Sequence, residues 1–121
     1  MVFFNTHFGF TDKVQSDSSA LIIEYAKKFS DLPLFVCGDF NMHTDWPGYE
    51  VMTEYFSDVN MQTAKDVEET FHGYYEYVEP LEHIDYCFIN NQFTPISSQT
   101  IRRTFDGKYP SDHYPVLFEI K

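Results

Sequence analysis

The sequence predicts an α/β (α+β) fold, a mixed and mostly antiparallel sheet with helices on one face, and three observations point there. Short apolar runs alternate with helical patterns in the first half and follow one another in the second, in the order β, α, β, α, β, β, β. Leu34-Phe35-Val36-Cys37 is continuously apolar and directly follows a helical pattern, as in a crossover unit with a strand buried on both faces. With 121 residues, 43% hydrophobic and 19% aromatic, the chain fits one small packed domain and is too apolar to be disordered.

Each element has its own signal. Val2-Phe3-Phe4 is β-prone and predicts a strand ending at Asn5-Thr6-His7. Ser16 and Asp17 are candidate caps for a helix in which Leu21, Ile22, Tyr25, Ala26 and Phe29 recur on one side, stopped by Ser30-Asp31-Leu32-Pro33. Gly38-Asp39-Phe40-Asn41 ends the strand that begins at Leu34, and Asp45-Trp46-Pro47-Gly48 starts a second helix reaching about Phe56. No period is visible from Ser57 to Glu82, which reads as loop with short elements. Strands follow over Ile84–Ile89, Phe93–Thr104 and Pro115–Ile120, with a turn at Asp106-Gly107-Lys108-Tyr109-Pro110 between the last two.

Charge narrows the function. There are 19 acidic and 8 basic residues, a net charge of −11. Nucleic acid is therefore a disfavoured though possible partner, because nonspecific affinity for it rests on Lys and Arg. Carboxylates are, however, what a divalent cation needs. No apolar run reaches the roughly 20 residues of a membrane span, and no leader is expected at the start. Cys37 and Cys87 sit in apolar runs and read as two buried free thiols. They favour a reducing, cytoplasmic compartment.

The polar residues gather where strands end. Asn5 and His7 follow the first strand, Asp39 and Asn41 the second, and Asp112 and His113 precede the last. Ligands of open α/β sheets bind along such a rim. Asp85 interrupts Ile84-Asp85-Tyr86-Cys87-Phe88-Ile89, with Ile84, Tyr86 and Phe88 on one face and Asp85, Cys87 and Ile89 on the other. A carboxylate among apolar neighbours needs a partner, and a histidine is a suitable one. Ser111-Asp112-His113 leads straight into a strand, so its side chains are held rigidly and point to opposite sides.

Asn5-Thr6-His7, Gly38-Asp39-Phe40-Asn41, Ile84-Asp85-Tyr86 and Ser111-Asp112-His113-Tyr114-Pro115-Val116 occur in this order. With them the chain resembles the endonuclease/exonuclease/phosphatase superfamily of metal-dependent phosphoesterases, and Thr70-Phe71-His72-Gly73 is similar to its bacterial members. The resemblance implies hydrolysis of a phosphate ester by in-line attack of water, assisted by Mg²⁺ or Mn²⁺. It implies that Asp39 orients or deprotonates the water, and that Asn41 holds a phosphate oxygen or a water of the metal. Asp85 and His113 become a carboxylate–histidine pair with His113 on the scissile phosphate, and His7 a phosphate contact or general acid. Asp112, with Asp39 and Asn41, becomes the metal-ligating set.

The resemblance covers residues 1–121 as a single unit, but only the second half of the family's pattern. The family's first half supplies a Glu that is the principal metal ligand, and six residues upstream of His7 contain none. The implied fold is half of a four-layer α/β sandwich. One sheet face is then expected to lie bare, with Val36, Phe88, Val116 or their strand neighbours on it. A homodimer, or pairing with a missing amino-terminal half, is the expected repair. A catalytically silent, self-associating half-domain is the alternative function. Further candidates are His43 at the site rim, His72 in the pocket, His83 behind Asp85, and Arg102 or Arg103 on phosphate. Trp46 is expected to pack in the core, and Tyr74-Tyr75-Glu76-Tyr77, near Glu68, Glu69 and Glu79, to form a solvated loop with partly buried rings.

Overall fold

A computed structural model describes residues 1–64, 68–75 and 82–121. The first strand, β1 (Val2–His7), leads into helix α1 (Asp12–Ala26), a 3₁₀ turn (Lys27–Phe29) and β2 (Leu34–Asp39). Helix α2 (Pro47–Thr53), a short β3 (Ser57–Asp58) and helix α3 (Val59–Thr63) follow. The chain ends with β4 (Asp85–Ile89), β5 (Pro95–Thr100) and β6 (Val116–Ile120).

Four strands form one sheet in the order β1-β2-β4-β3, with β1 parallel to β2 and the other pairs antiparallel. The last two strands do not join it. They pair antiparallel with each other as a separate two-stranded sheet. β5 stops at Thr100, short of the expected Thr104: Ile101 N–H still donates to the Pro115 carbonyl in register, but Pro115 has no N–H to return the bond.

The α1 cap is Thr11, whose hydroxyl accepts from Val14 N–H, and not Ser16 or Asp17, which lie within the helix. The buried stripe also differs from the expected one. Gln15, Ser19, Ile23 and Ala26 face inward, whereas Leu21 and Tyr25 are exposed. Close packing against α2 is the reason. A Cβ on Gly48 would lie 2.9 Å from Gln15 Cβ, so only small or hydrogen-bonded groups fit, and Ser19 Oγ donates to the Gly48 carbonyl. Helix α2 is shorter than expected at both ends, with Trp46 at its N-cap and Pro47 in its first turn.

The sheet buries both faces, as the apolar run in β2 required. One face carries Leu34, Val36, Tyr86 and Phe88 and packs with Phe8, Phe40, Met42, Met52 and Phe56 under the helices. The opposite face carries Cys87 and Ile89, flanked by Phe35 and Cys37, and meets Val59, Phe93, Phe118 and Ile120. The bare face expected from half a sandwich is thus smaller than anticipated. Val36 and Phe88 lie beneath the helices, and Phe118 and Ile120 of β6 cover the other side at Cys87 and Ile89, while Phe3, Asn5 and His7 of β1 are exposed. Phe3, 55% exposed and stacked on Phe35, remains open there. Among the described residues, no helix is long and apolar enough to cross a membrane.

Register positions the site. β1 sets Phe3, Asn5 and His7 beside Phe35, Cys37 and Asp39, while β4 sets Ile89, Cys87 and Asp85 beside the same three. The face therefore carries three rows: Phe3–Phe35–Ile89, Asn5–Cys37–Cys87 and His7–Asp39–Asp85. Gly38 permits this, since with φ at 154° a Cβ would lie 1.9 Å from the Thr6 carbonyl oxygen. The β1 and β2 backbones approach too closely there for any side chain.

Candidate active site

The row His7–Asp39–Asp85 ends the sheet, and His113 completes it from the loop before β6. His113 Nδ1 lies 2.8 Å from Asp85 Oδ2. An ionised carboxylate only accepts, so Nδ1 carries the proton and Nε2 faces away from Asp85. That Nε2 lies 3.7 Å from Asp39 Oδ2, and His7 Nε2 lies 3.4 Å from the same oxygen. The other Asp39 oxygen accepts the Asn41 backbone N–H at 2.8 Å. Asp39 is thereby fixed with one oxygen between two imidazoles.

Asp39 and Asp85 face each other across β2 and β4 in a closely spaced pair. Asn90 N–H donates to the Leu34 carbonyl and Phe40 N–H to the Ile84 carbonyl. By the alternation of antiparallel ladders, the intervening odd positions of β2 are non-hydrogen-bonded pairs, where side chains come nearest. Like charges placed so are destabilising unless something neutralises them. Burial, then the Asp85 charge, raises Asp39 above the usual carboxylate value, against the Asn41 N–H and the two histidines. For His113 burial acts downward, yet the hydrogen bond to Asp85 and the charges of Asp85, Asp39 and Asp112 outweigh it and leave the imidazole raised.

Support comes from residues around this array. Thr70 Oγ1 accepts from both Ile84 and Asp85 N–H, and Thr70 O accepts from Tyr114 N–H, tying β4 to the His113 loop. The Phe71 ring packs 4.9 Å from that of His113. Buried Gln15 donates from Nε2 to the carbonyls of Gly9 and Asn41, bracing two rim loops from below. Asn41 sits at φ 48°, a left-handed conformation that Asn tolerates, and its Nδ2 donates to the Phe8 carbonyl. A buried glutamine looks ordinary in sequence, so nothing in it singled out Gln15, whereas Thr70 and Phe71 belong to the string Thr70-Phe71-His72-Gly73.

A cavity of about 790 Å³ opens over this array, lined among others by His7, Asp39, Asn41, Asp112 and His113, with Phe10, Trp46 and Phe71 as its apolar wall. Trp46 thus lines the site as well as starting α2. His43 reaches the rim as expected, its ring 4.9 Å from Trp46. His72 is not in the cavity; it is buried between Tyr109 and Tyr114, 4.3 Å from each ring. His83 is buried with Nδ1 on the Glu68 carbonyl. Glu69, expected in a solvated loop, is buried beside Arg102 at 3.6 Å, and Arg102 and Arg103 lie over the Tyr114 and Phe105 rings, outside the cavity lining. Glu76, Tyr77 and Glu79 lie outside the described residues.

The donor set suits a hard divalent cation. Ligand atoms of Asp39, Asp85 and His113 lie within 4.8 Å of one another. Asn41 and Asp112 share the cavity lining with Asp39, adding oxygen donors of the kind hard divalent cations take.

The sequence profile of the endonuclease/exonuclease/phosphatase family matches residues 3–113. The chain belongs to that family. Among solved structures it resembles an endonuclease/exonuclease/phosphatase from Bacteroides vulgatus (28% identity, TM-score 0.86), covering 98% of this chain and 49% of that one. A functionally unknown conserved protein from Enterococcus faecalis V583 shares 22% identity at a TM-score of 0.88, over 98% of this chain and 49% of its own. A mannosyl-6-phosphatase from Bacteroides thetaiotaomicron VPI-5482 shares 24% identity at a TM-score of 0.82, over 98% and 50%. The chain spans about half the length of these three structures. No curated protein matches the sequence.

Proposed function

We propose that this chain is the carboxy-terminal half of a divalent-metal-dependent phosphoesterase domain, acting on a phosphomonoester or phosphodiester. The observation that carries the reading is Asp39 held between His7 and His113, with His113 oriented in turn by Asp85. Asp39 orients the attacking water and takes its proton. The Nε2 atoms of His113 and His7 contact phosphoryl oxygens, and the His113 proton on Nδ1 is held by Asp85, which stabilises the imidazolium. His7, far more exposed than His113, is the better placed to protonate a leaving group. Asn41 binds a phosphate oxygen from the opposite side of Asp39.

Asp112, Asp39 and Asn41 would hold Mg²⁺ or Mn²⁺, which when bound neutralises charge growing on the phosphoryl oxygens. The cation also offsets repulsion between a protein of net charge −11 and an anionic ester.

The test is hydrolysis of chromogenic phosphomonoesters and phosphodiesters by the chain with and without Mg²⁺ or Mn²⁺. Turnover that needs the metal and falls by about 10²–10⁴-fold in Asp39→Ala and in His113→Ala is the expected result. Turnover that ignores the metal and survives both substitutions overturns the reading.

A second reading is favoured by one observation: Phe3, Ile96 and Leu117 are large, apolar and about half exposed. It makes the chain alone a catalytically silent unit that self-associates or pairs with an amino-terminal half. A monodisperse monomer in sedimentation at micromolar concentration counts against association, and measurable turnover by the chain counts against silence.

A further inference from the structure

The row directly beneath the carboxylates holds two facing thiols. Cys37 and Cys87 are register partners on β2 and β4, in the same class of non-hydrogen-bonded pair as Asp39 and Asp85. Both side chains lie on the same sheet face, in one apolar cluster with Val59, Ile89 and Phe118. Both are free, with Cys87 buried and Cys37 partly open to solvent. We propose that Cys37 and Cys87 form an oxidation site, closing to a cross-strand disulfide when hydrogen peroxide reaches Cys37. The inference stands apart from the phosphoesterase reading and needs neither a substrate nor a metal.

Geometry makes the bond reachable but tense. Non-hydrogen-bonded partners have Cα atoms about 4.5 Å apart, the lower edge of the roughly 4.4–6.8 Å that disulfides span. Their Cβ atoms stand about 4.5–5.5 Å apart, and a disulfide needs about 3.5–4.5 Å. The two Cβ atoms must therefore approach by about 1 Å, through tilting of the Cα–Cβ bonds, since the Cα separation is already at its lower edge. A bond formed under that strain is easily reduced again, which makes the closure reversible.

Exposure sets the order of events. The Cys37 thiolate attacks one peroxide oxygen, the O–O bond breaks, hydroxide departs and takes up a proton as water, and Cys37 becomes a sulfenic acid. The Cys87 sulfur then attacks the Cys37 sulfur. The hydroxyl leaves with the Cys87 proton as a second water. Two thiols and one peroxide give one disulfide and two waters, the thiols losing the two electrons that the peroxide gains.

The experiment treats the purified chain with stoichiometric hydrogen peroxide and follows intact mass, maleimide-accessible thiols in denaturant, and migration on a non-reducing gel. Expected are a loss of about 2 Da for the two hydrogens, joint disappearance of both thiols in an intramolecular product, and full reversal by reduced glutathione. Cys87→Ser is expected to accumulate a dimedone-reactive sulfenic acid at Cys37, and Cys37→Ser to leave Cys87 unreacted. The unsubstituted chain decides the matter even where a serine variant fails to fold. Any wild-type product in which Cys37 carries two added oxygens, or bridges to a second chain, while Cys87 stays free overturns the proposal. So does a chain whose thiols both survive peroxide in excess.

Discussion

At the level of single residues, several polar groups sit where burial works against their charge. Asp58 is the clearest outside the candidate site. It is 4% exposed, accepts from Tyr49 Oη and Asn60 N–H at 2.8 Å each, and caps α3. Burial raises its pKa despite those two donors, with the His83 charge also pulling down. A carboxyl raised on folding contributes stability that is complete below its unfolded pKa, near about 3.9, and is lost as pH rises through the folded value. Asp58→Asn keeps an acceptor without the charge. It is expected to gain stability relative to the wild type between pH 4 and pH 7, read as the difference in urea unfolding free energy at the two pH values. An advantage that shrinks toward neutrality contradicts the assignment. Residues of this kind are only partly legible in sequence. Asp85 was conspicuous because it breaks an apolar alternation, and a histidine partner follows from the cost of burying it. Asp58 stands in a segment with no period, so neither its burial nor its cap is visible before the backbone folds.

Among elements, α1 shows how a site is braced by a helix that contributes nothing to its lining. Gln15 is fully buried and its one amide nitrogen serves both the Gly9 and Asn41 carbonyls, at 3.0 and 2.6 Å. Gln15→Leu fills similar space but strands two carbonyl groups. It is expected to cost about 1–3 kcal/mol in chemical denaturation, the penalty of an unsatisfied buried acceptor. It is also expected to lower cation affinity through the loosened Asn41 turn, whereas Leu21→Ala on the exposed side leaves both unchanged. The helix itself was legible from its spacing, but its inward side was not. A stripe of Leu21, Tyr25 and Phe29 looks more apolar than Gln15, Ser19 and Ala26. Only the closeness of α2 at Gly48, a tertiary fact, explains why the smaller residues face inward. Strand pairing shows the same division. Apolar runs marked β2 and β4, while the detachment of β5 and β6 into their own sheet depends on contacts far apart in the chain.

For the molecule as a whole, charge is the governing quantity. A net −11 on 121 residues repels itself, most sharply where Asp39 and Asp85 face each other with Asp112 at the same cavity. Mg²⁺ is therefore expected to stabilise the chain beyond the screening given by an equal ionic strength of NaCl, by about 2.7 kcal/mol at a hundredfold excess over its dissociation constant. Thermal unfolding in the two salts measures this. The excess is expected to vanish in Asp39→Ala, and an identical response to both salts contradicts the cation site. The overall architecture was legible because each motif falls at a strand end and such ends share a rim. The separate covering of the second sheet face was not, since nothing local distinguishes a strand that joins the main sheet from one that lies over it. The three rows across β1, β2 and β4 carry a last consequence. Along β4 Asp85, Cys87 and Ile89 face one side and Tyr86 and Phe88 the other, so adding or deleting one amino acid there turns Asp85 toward the helices and Tyr86 toward the site side in a single stroke. Damage of that sort offers no halfway product, and folding and chemistry fail together. The turn at Asp106-Gly107, where a Cβ on the glycine would meet nothing within 4 Å, is by contrast where extra length is absorbed without touching either.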